Sequence, residues 1–186
     1  MQRRVVFKLV GALTLAAVAP RVGAAVDMQV AVSRRGDLML VDAVLVAPVS
    51  QREAWVVLTD FDAMSRFVPN LDESRIAARS GERLRVEQRG VARWGLLTHA
   101  FTMVREIELQ PMEQVRSRSV GGSMQQVTSL THFAAVAGGT EIRHHLEIGV
   151  DTWMPDFLIE PFLRHEVQEQ FEAVVAEMLR RRLALR

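Results

Sequence analysis

The sequence of 186 residues contains no cysteine and no tyrosine, and its only lysine is Lys8. Without cysteine the chain forms no disulfide and carries no thiol nucleophile. The absence of tyrosine excludes a phenolic acid, and the absence of lysine beyond residue 8 excludes a Schiff-base lysine in that part of the chain. Stability must therefore come from a hydrophobic core, and a chain of this length with 49% hydrophobic residues can bury one in a single domain.

The first 24 residues have the pattern of a secretory signal peptide. A positively charged start, MQRR with Lys8, precedes the apolar run LVGALTLAAVAP and a small-residue cleavage site at Val22-Gly23-Ala24. The apolar run is shorter than the roughly 20 residues that a membrane-spanning helix needs. We therefore expect cleavage after Ala24 and a periplasmic or secreted protein.

The charge balance indicates no nucleic-acid partner. Removal of residues 1–24 takes away four of the 23 basic residues and none of the 22 acidic ones, which leaves 19 against 22 and a net charge of −3. A mildly acidic chain lacks the basic surface on which nucleic-acid binding depends.

The segment after the signal peptide predicts a linker, one strand and two short helices. A linker is expected over 25–36, and the β-rich run LMLVDAVLVA predicts the first strand over 38–47. Ser50 and Glu53 form a capping box that starts the first helix. Asp60 is predicted to cap the second helix. This second helix offers three large apolar side chains to the interior: Phe61, Met64 and Phe67.

The middle of the chain predicts an antiparallel meander. Apolar and polar residues alternate there, and glycine-containing or proline-containing turn signals separate the alternating segments. Six strands are predicted, over 74–79, 83–94, 98–109, 113–120, 123–136 and 140–150.

The last segment predicts one long amphipathic helix over 156–183. Its apolar stripe consists of Leu163, Val167, Phe171, Val174, Val175 and Met178. A seven-stranded antiparallel sheet with an apolar concave face needs a cover, and this helix is the only predicted element long enough to provide it. We therefore predict an α+β domain over 37–186, in which a curved seven-stranded sheet wraps around the C-terminal helix and two short helices follow the first strand.

The histidines near the end of the sheet are candidate site residues. If Gly138-Gly139 is a two-residue hairpin loop, His132 pairs with His145 and Phe133 pairs with His144. The first pair then faces solvent, where a zinc site would need a third ligand and only Glu141 and Glu147 lie nearby in the sequence, so no metal is predicted.

His144 shares its strand face with apolar residues such as Leu146, so it is predicted to point into the interior. A neutral imidazole there can hydrogen-bond a ligand or act as a general acid or base. The alternative is a core histidine that a neighbour satisfies.

Other candidates lie on the strand over 83–94 and at the start of the long helix. Val86 and Gln88 share one strand face, and Gln88 either orients a polar ligand end or lies solvated near the sheet edge. The apolar cluster of Trp153, Phe157 and Phe162 is core, the rim of a pocket, or a surface that touches a membrane transiently.

The run APVSQREAWVVLTDFDAMSRFVPNLDESRI, the later GGTEIRHHLEIGVDTWMP and the closing helix resemble the START-related helix-grip superfamily (SRPBCC), specifically its polyketide cyclase and coenzyme Q-binding branch. The resemblance covers about residues 38–183. It implies a helix-grip fold whose sheet and helix enclose a cavity for a lipid, isoprenoid quinone, sterol or polyketide. Thr131 stands where this family usually has an aromatic residue, and it would enlarge or polarise that part of the cavity.

The leading hypothesis is an exported, non-enzymatic protein that binds a hydrophobic small molecule. One alternative is a cyclase or dehydratase that uses His144 as general acid or base, and another is a protein-interaction module without a ligand. No cofactor is predicted, and the oligomeric state stays open. The expected ligand-binding residues are Phe61, Met64, Phe67, Val86, Gln88, Thr131, Phe133, His144, Leu146, Trp153, Phe157, Phe162 and Phe171.

Overall fold

The computed structural model describes residues 27–95, 97–149 and 155–184, so the predicted signal peptide lies outside the described residues. The elements in these ranges are β1 (Met28–Arg35), β2 (Leu38–Ala47), α1 (Gln51–Leu58), a 3-10 helix (Phe61–Arg66), β3 (Leu71–Ser80), β4 (Arg83–Trp94), β5 (Leu97–Gln110), β6 (Gln114–Gly122), β7 (Val127–Val136), β8 (Gly139–Gly149) and α2 (Asp156–Ala184).

All the strands belong to one antiparallel sheet in the order β1-β2-β8-β7-β6-β5-β4-β3. After β2 the chain passes through the two short helices to the far edge at β3. The meander then returns strand by strand until β8 pairs with β2. Buried side chains of α2 join those of the sheet in one hydrophobic core, which shows that α2 covers the concave face as predicted.

The described sheet has eight strands, not the seven predicted. Residues 28–35, predicted as part of a linker, form β1, which pairs with β2 across a two-residue turn at Gly36 and Asp37. Gly36 adopts a φ of +61°, which such tight turns require. Only Val30 in β1 is buried, and it retains 9% exposure. The apolar alternation of this edge strand is therefore too weak to distinguish it from a linker.

The predicted strand over 123–136 begins later, at Val127. The backbone amides of Ser123 and Met124 both donate to the carbonyl of Thr102, at 2.9 and 3.2 Å. These residues turn back toward β5, so they do not extend β7.

The capping box of α1 is confirmed. Ser50 Oγ accepts from the Glu53 amide at 3.3 Å, and the Glu53 carboxylate accepts from the Ser50 amide at 2.7 Å. The predicted cap at Asp60 is wrong, because its side chain makes no capping hydrogen bond. Asp60 Oδ2 instead accepts from Arg181 of α2 at 2.7 Å and ties the 3-10 helix to the end of α2.

The apolar stripe predicted for the last helix is buried along its whole length. Pro161 lies near the start of α2 and does not end it. No helix in the described ranges is both long and apolar enough to cross a membrane.

Candidate functional site

A cavity of about 650 Å³ lies between the concave face of the sheet and α2. Apolar side chains from the 3-10 helix, the inner strands and α2 form most of its wall, among them Phe61, Met103 and Phe162. Sites for small organic ligands commonly have volumes of roughly 300–1,000 Å³ and walls of this kind.

The hairpin of β7 and β8 places Thr131 opposite His144. The predicted partner, Phe133, lies opposite Ile142 instead, so the predicted register was wrong by two residues. A shift of two residues leaves every side chain on the same face of the sheet. His144 therefore still points inward, as predicted.

The hairpin loop consists of Ala137 and Gly138, and Gly139 already belongs to β8. A Cβ on Gly139 would lie 2.0 Å from the carbonyl oxygen of Ala47 on β2. The second glycine is thus required by the close approach of the neighbouring strand, and its own φ of +156° also favours glycine. The same register places His132 opposite Arg143, so the two surface histidines do not face each other as a metal-binding pair would.

His144 is a neutral hydrogen-bonding group in the cavity wall. Its Nδ1 lies 2.8 Å from Thr131 Oγ1, and its ring packs edge-on against Phe171 with the centroids 5.2 Å apart. Burial, and then the nearby charge of Arg105, lower the pKa of His144 to about 4. At neutral pH the imidazole is uncharged, which suits ligand hydrogen bonding and leaves little imidazolium to act as a general acid.

Arg105 of β5 brings a positive charge into the cavity wall. Its Cζ lies 6.0 Å from the ring centroid of Phe61. A β-bulge shifts the register between β5 and β6 at Val104 and Arg105, and bulges commonly redirect a side chain beside a functional site. Burial lowers the pKa of Arg105 to about 10, so the guanidinium stays charged at neutral pH. Its Nε is buried without a hydrogen-bond partner in the described structure.

Glu166 of α2 contributes a carboxyl group to the same cavity, and its residue is only 6% exposed. Asn70 Nδ2 donates to Glu166 Oε2, whereas Oε1 is buried without a partner among the described residues. Burial, and then the nearby charge of Glu169, raise the pKa of Glu166 to about 7. The carboxyl group therefore changes its protonation state around neutral pH.

Gln88 lines the cavity and is buried, which excludes the solvated position at the sheet edge. Its Nε2 donates to Ser74 Oγ at 3.0 Å and lies 3.8 Å from the sulfur of Met64. These contacts fix the amide, and its carbonyl oxygen is the part left to meet a ligand.

The titration of Glu166 predicts a pH-dependent difference between the wild type and Glu166→Gln. The unfolded carboxyl has an ordinary pKa of 4.5, and the folded pKa is raised to about 7. The stability that the neutral buried carboxyl contributes is thus complete below pH 4.5 and is lost as the pH rises through about 7. When the pH is raised from about 5 to about 8, the free energy of unfolding of the wild type should fall by about 1–2 kcal/mol more than that of Glu166→Gln, after allowance for solvent screening. Urea unfolding at both pH values measures this difference, and parallel pH profiles would contradict it.

Most of the predicted ligand-binding residues line the cavity. They come from the 3-10 helix, three strands and α2, and the fold brings them together although they lie far apart in the sequence. Those that line it are Phe61, Met64, Gln88, Thr131, Phe133, His144, Leu146, Phe162 and Phe171. Their contact with a ligand stays a prediction.

Three predicted site residues lie elsewhere. Val86 is completely covered by the core. Phe67 is the C-cap residue of the 3-10 helix and does not line the cavity; its ring centroid lies 5.8 Å from the guanidinium carbon of Arg181. Phe157 lies about 200° around α2 from the inward Ile159 and is 77% exposed. Trp153 lies outside the described residues.

The sequence interpretation missed Arg105 and Glu166, although both interrupt an apolar pattern. Arg105 stands between Met103 and Ile107 on the inward face of β5, where apolar residues alternate. Glu166 stands on the apolar stripe of α2, one turn after Phe162. A charged residue at a core position of such a pattern is the signal that identifies both.

Comparison with known structures relates the fold to START-like proteins. A STAR-related lipid transfer protein from Xanthomonas axonopodis is 12% identical, with a TM-score of 0.69 over 81% of this chain and 93% of that chain. A START superfamily protein from Mycobacterium smegmatis is 12% identical, with a TM-score of 0.65 over 76% of this chain and 97% of that chain. The Zhui aromatase/cyclase from Streptomyces sp. R1128 is 12% identical, with a TM-score of 0.64 over 77% of this chain and 95% of that chain.

No curated protein sequence matches the chain significantly. The profile of one family, described as polyketide cyclase / dehydrase and lipid transport, matches residues 47–175. This match spans most of the sheet, both short helices and much of α2, and it confirms the START-like resemblance. The chain therefore belongs to the polyketide cyclase / dehydrase and lipid transport family.

Proposed function

We propose that this protein binds a hydrophobic small molecule, such as a lipid, an isoprenoid quinone or a polyketide-like compound, and that it acts as a binding protein and not as an enzyme. The cavity of about 650 Å³ between the sheet and α2 carries this proposal. Transfer of an apolar ligand from water to this wall stabilises the complex by roughly 25 cal/mol for each Å² buried. The few polar groups in the wall would orient the ligand.

The state of His144 favours binding over catalysis. A general acid or base works best when its pKa lies near the working pH. The pKa of His144 is lowered to about 4, and its Nδ1 is engaged by Thr131. In a cyclase or dehydratase of this fold, Glu166 would suit proton transfer better, since its pKa is raised to about 7. Replacement of Glu166 by glutamine, with His144→Ala in parallel, separates the hypotheses, because an enzyme should lose turnover in at least one variant and a binding protein should lose only part of its affinity.

Native mass spectrometry of the protein isolated gently from its own host tests the proposal. We expect a discrete hydrophobic adduct that denaturing extraction releases for identification. A protein without an adduct that also fails to bind a panel of lipids and quinones would contradict the proposed function and favour an interaction module.

A cavity-filling substitution tests whether the ligand occupies the cavity, and a substitution at the neighbouring outward residue is the matched control. Ser117 is buried in the cavity wall on β6, whereas its neighbour Arg116 points outward from the same strand. Ser117→Trp should abolish the adduct and weaken the binding of a neutral hydrophobic dye by at least about tenfold, since the indole occupies ligand space. Arg116→Trp should leave binding unchanged. Thermal unfolding of both variants shows whether the loss arises from misfolding.

We also propose that the protein is exported after cleavage at Ala24. The charged start, the short apolar run and the small residues before Ala25 support this proposal. The mass of the protein recovered from the periplasm or medium should correspond to a chain that starts at Ala25. A full-length protein confined to the cytoplasm would contradict it.

A further inference from the structure

We propose that the ligand is an amphipathic acid with a hydroxyl group: an apolar body, an anionic group that binds Arg105, and a hydroxyl that binds Glu166. This inference rests on the proposed function and names the class of compound that the same cavity would select. It follows from two buried polar atoms that have no hydrogen-bond partner among the described residues. One is a guanidinium N–H donor in the sheet wall, and the other is a carboxyl oxygen in the helix wall.

The first of these atoms is Nε of Arg105. The guanidinium makes no ion pair with a carboxylate among the described residues, and its Cζ lies 6.0 Å from the ring centroid of Phe61. A buried charge is normally paired, because removal of a charge from water is strongly unfavourable without a counter-charge. The charge of Arg105 acts on His144, which is uncharged at neutral pH and bonded to Thr131, so this histidine supplies no counter-charge. An anionic group on the ligand would supply the missing partner, and a guanidinium binds carboxylates and phosphates with two parallel hydrogen bonds.

The second atom is Oε1 of Glu166 on α2. Asn70 holds the other oxygen, so Oε1 is the atom left to meet a ligand. When the carboxyl is ionised Oε1 accepts a hydrogen bond, and when it is protonated it donates one. A hydroxyl group is the common ligand group that satisfies both states, because it donates and accepts. The pKa of Glu166, raised to about 7, means that both states are populated near neutral pH.

The two groups also define the orientation of the ligand. Glu166 forms no ion pair with Arg105, so each is available to the ligand. An ionised Glu166 repels the ligand's anionic group, whereas Arg105 attracts it. The anionic group would therefore lie against the sheet at β5, with the hydroxyl against α2.

Displacement of a bound neutral solvatochromic dye from the delipidated protein tests this inference. The competitors are palmitate, palmitates hydroxylated at the middle or at the end of the chain, methyl palmitate and hexadecanol. We expect the acids to bind at least about tenfold more tightly than the ester and the alcohol, as a charge-assisted hydrogen bond in a buried site would produce. At least one hydroxylated acid should bind about fivefold or more tightly than palmitate.

Substitutions at the two groups separate their contributions. Arg105→Met should remove the preference for acids over the ester, and Arg105→Lys should retain most of it because the charge remains. Glu166→Leu should remove only the advantage of the hydroxylated acids. Unfolding curves of each variant show whether it is folded, and the wild-type competitor series tests the inference without any variant.

The possible results distinguish failure of the proposed function from failure of this inference about the ligand class. If the dye and all competitors fail to bind the wild type, the proposed function itself is wrong. If the ester and alcohol bind as tightly as the acids, or if hydroxylation brings no gain at any position, the cavity binds apolar molecules and this inference is overturned. Retention of the acid preference in Arg105→Met would overturn it as well.

Discussion

Replacement of Gly90 by alanine is expected to destabilise the protein by about 3 kcal/mol or more. A Cβ at this position would lie 1.9 Å from the carbonyl oxygen of Asn70 and 2.9 Å from Cζ of Phe101. The carbonyl cannot move freely, because it accepts a hydrogen bond from the Val91 amide at 3.0 Å. The start of β3 and the middle of β4 would have to separate. Urea unfolding measures the loss as a lower midpoint with an unchanged slope.

The same substitution should also weaken ligand binding, because Asn70 holds the carboxyl of Glu166 in the cavity. Gly121 on β6 is the matched control. Its added Cβ would lie no closer than 3.5 Å to its nearest neighbour, Val104, and its φ is not positive. Gly121→Ala should change stability by less than about 0.5 kcal/mol or raise it slightly, since alanine is favoured over glycine within a strand. Equal losses in both variants would show that the close approach at Gly90 is not the cause.

Met178→Ala is expected to destabilise the protein by about 3 kcal/mol. Met178 lies in the last third of α2 and has 0% of its surface exposed, so truncation removes buried contacts and leaves a void. The helix covers the sheet through its apolar stripe, and the loss of a buried side chain from this stripe favours detachment of the helix. Because Met178 does not line the cavity, affinity for a ligand should stay unchanged in the fraction that remains folded.

Leu183 on the same helix is the control for Met178. It is 71% exposed, and Leu183→Ala should change the free energy of unfolding by less than about 0.5 kcal/mol. Urea unfolding of the two variants, with dye binding measured at a urea concentration below both transitions, checks both expectations. A loss of affinity in Met178→Ala without loss of folded protein would mean that this part of α2 shapes the cavity.

Local patterns in the sequence predicted much of the secondary structure. The capping box at Ser50 and Glu53 was correct, because a side chain that bonds the backbone three residues away depends on nothing distant. The stripe of α2 was correct because burial of one helix face imposes a period of 3.6 residues. The second cap failed at Asp60 because a distant residue, Arg181, binds its carboxylate.

Features that depend on neighbouring strands were less predictable. β1 was missed because an edge strand with a single buried residue carries little apolar signal. The register of β7 and β8 was wrong because the role of Gly139 is set by the carbonyl of Ala47 on another strand. Nothing in the sequence near Gly139 reports that contact.

The candidate site also combines features that local patterns predict with features that depend on residues distant in the chain. The inward position of His144 followed from strand alternation and survived the register error, because the shift was an even number of residues. The chemical character of the cavity could not be predicted in this way. It depends on Arg105 and Glu166, which lie 61 positions apart on different elements, and on two of their buried atoms, Nε and Oε1, that have no hydrogen-bond partner among the described residues.

The sequence by itself determined the order of most elements, the face of each helix and strand that is buried, and the superfamily, because these depend on the local spacing of apolar and capping residues. Only the tertiary structure decided the number of strands, the register of the last hairpin and the polar groups of the cavity. The physical reason is that pairing partners and desolvation are set by residues distant in the chain. Burial raises the pKa of Glu166 and lowers that of His144 only once the sheet has closed around α2.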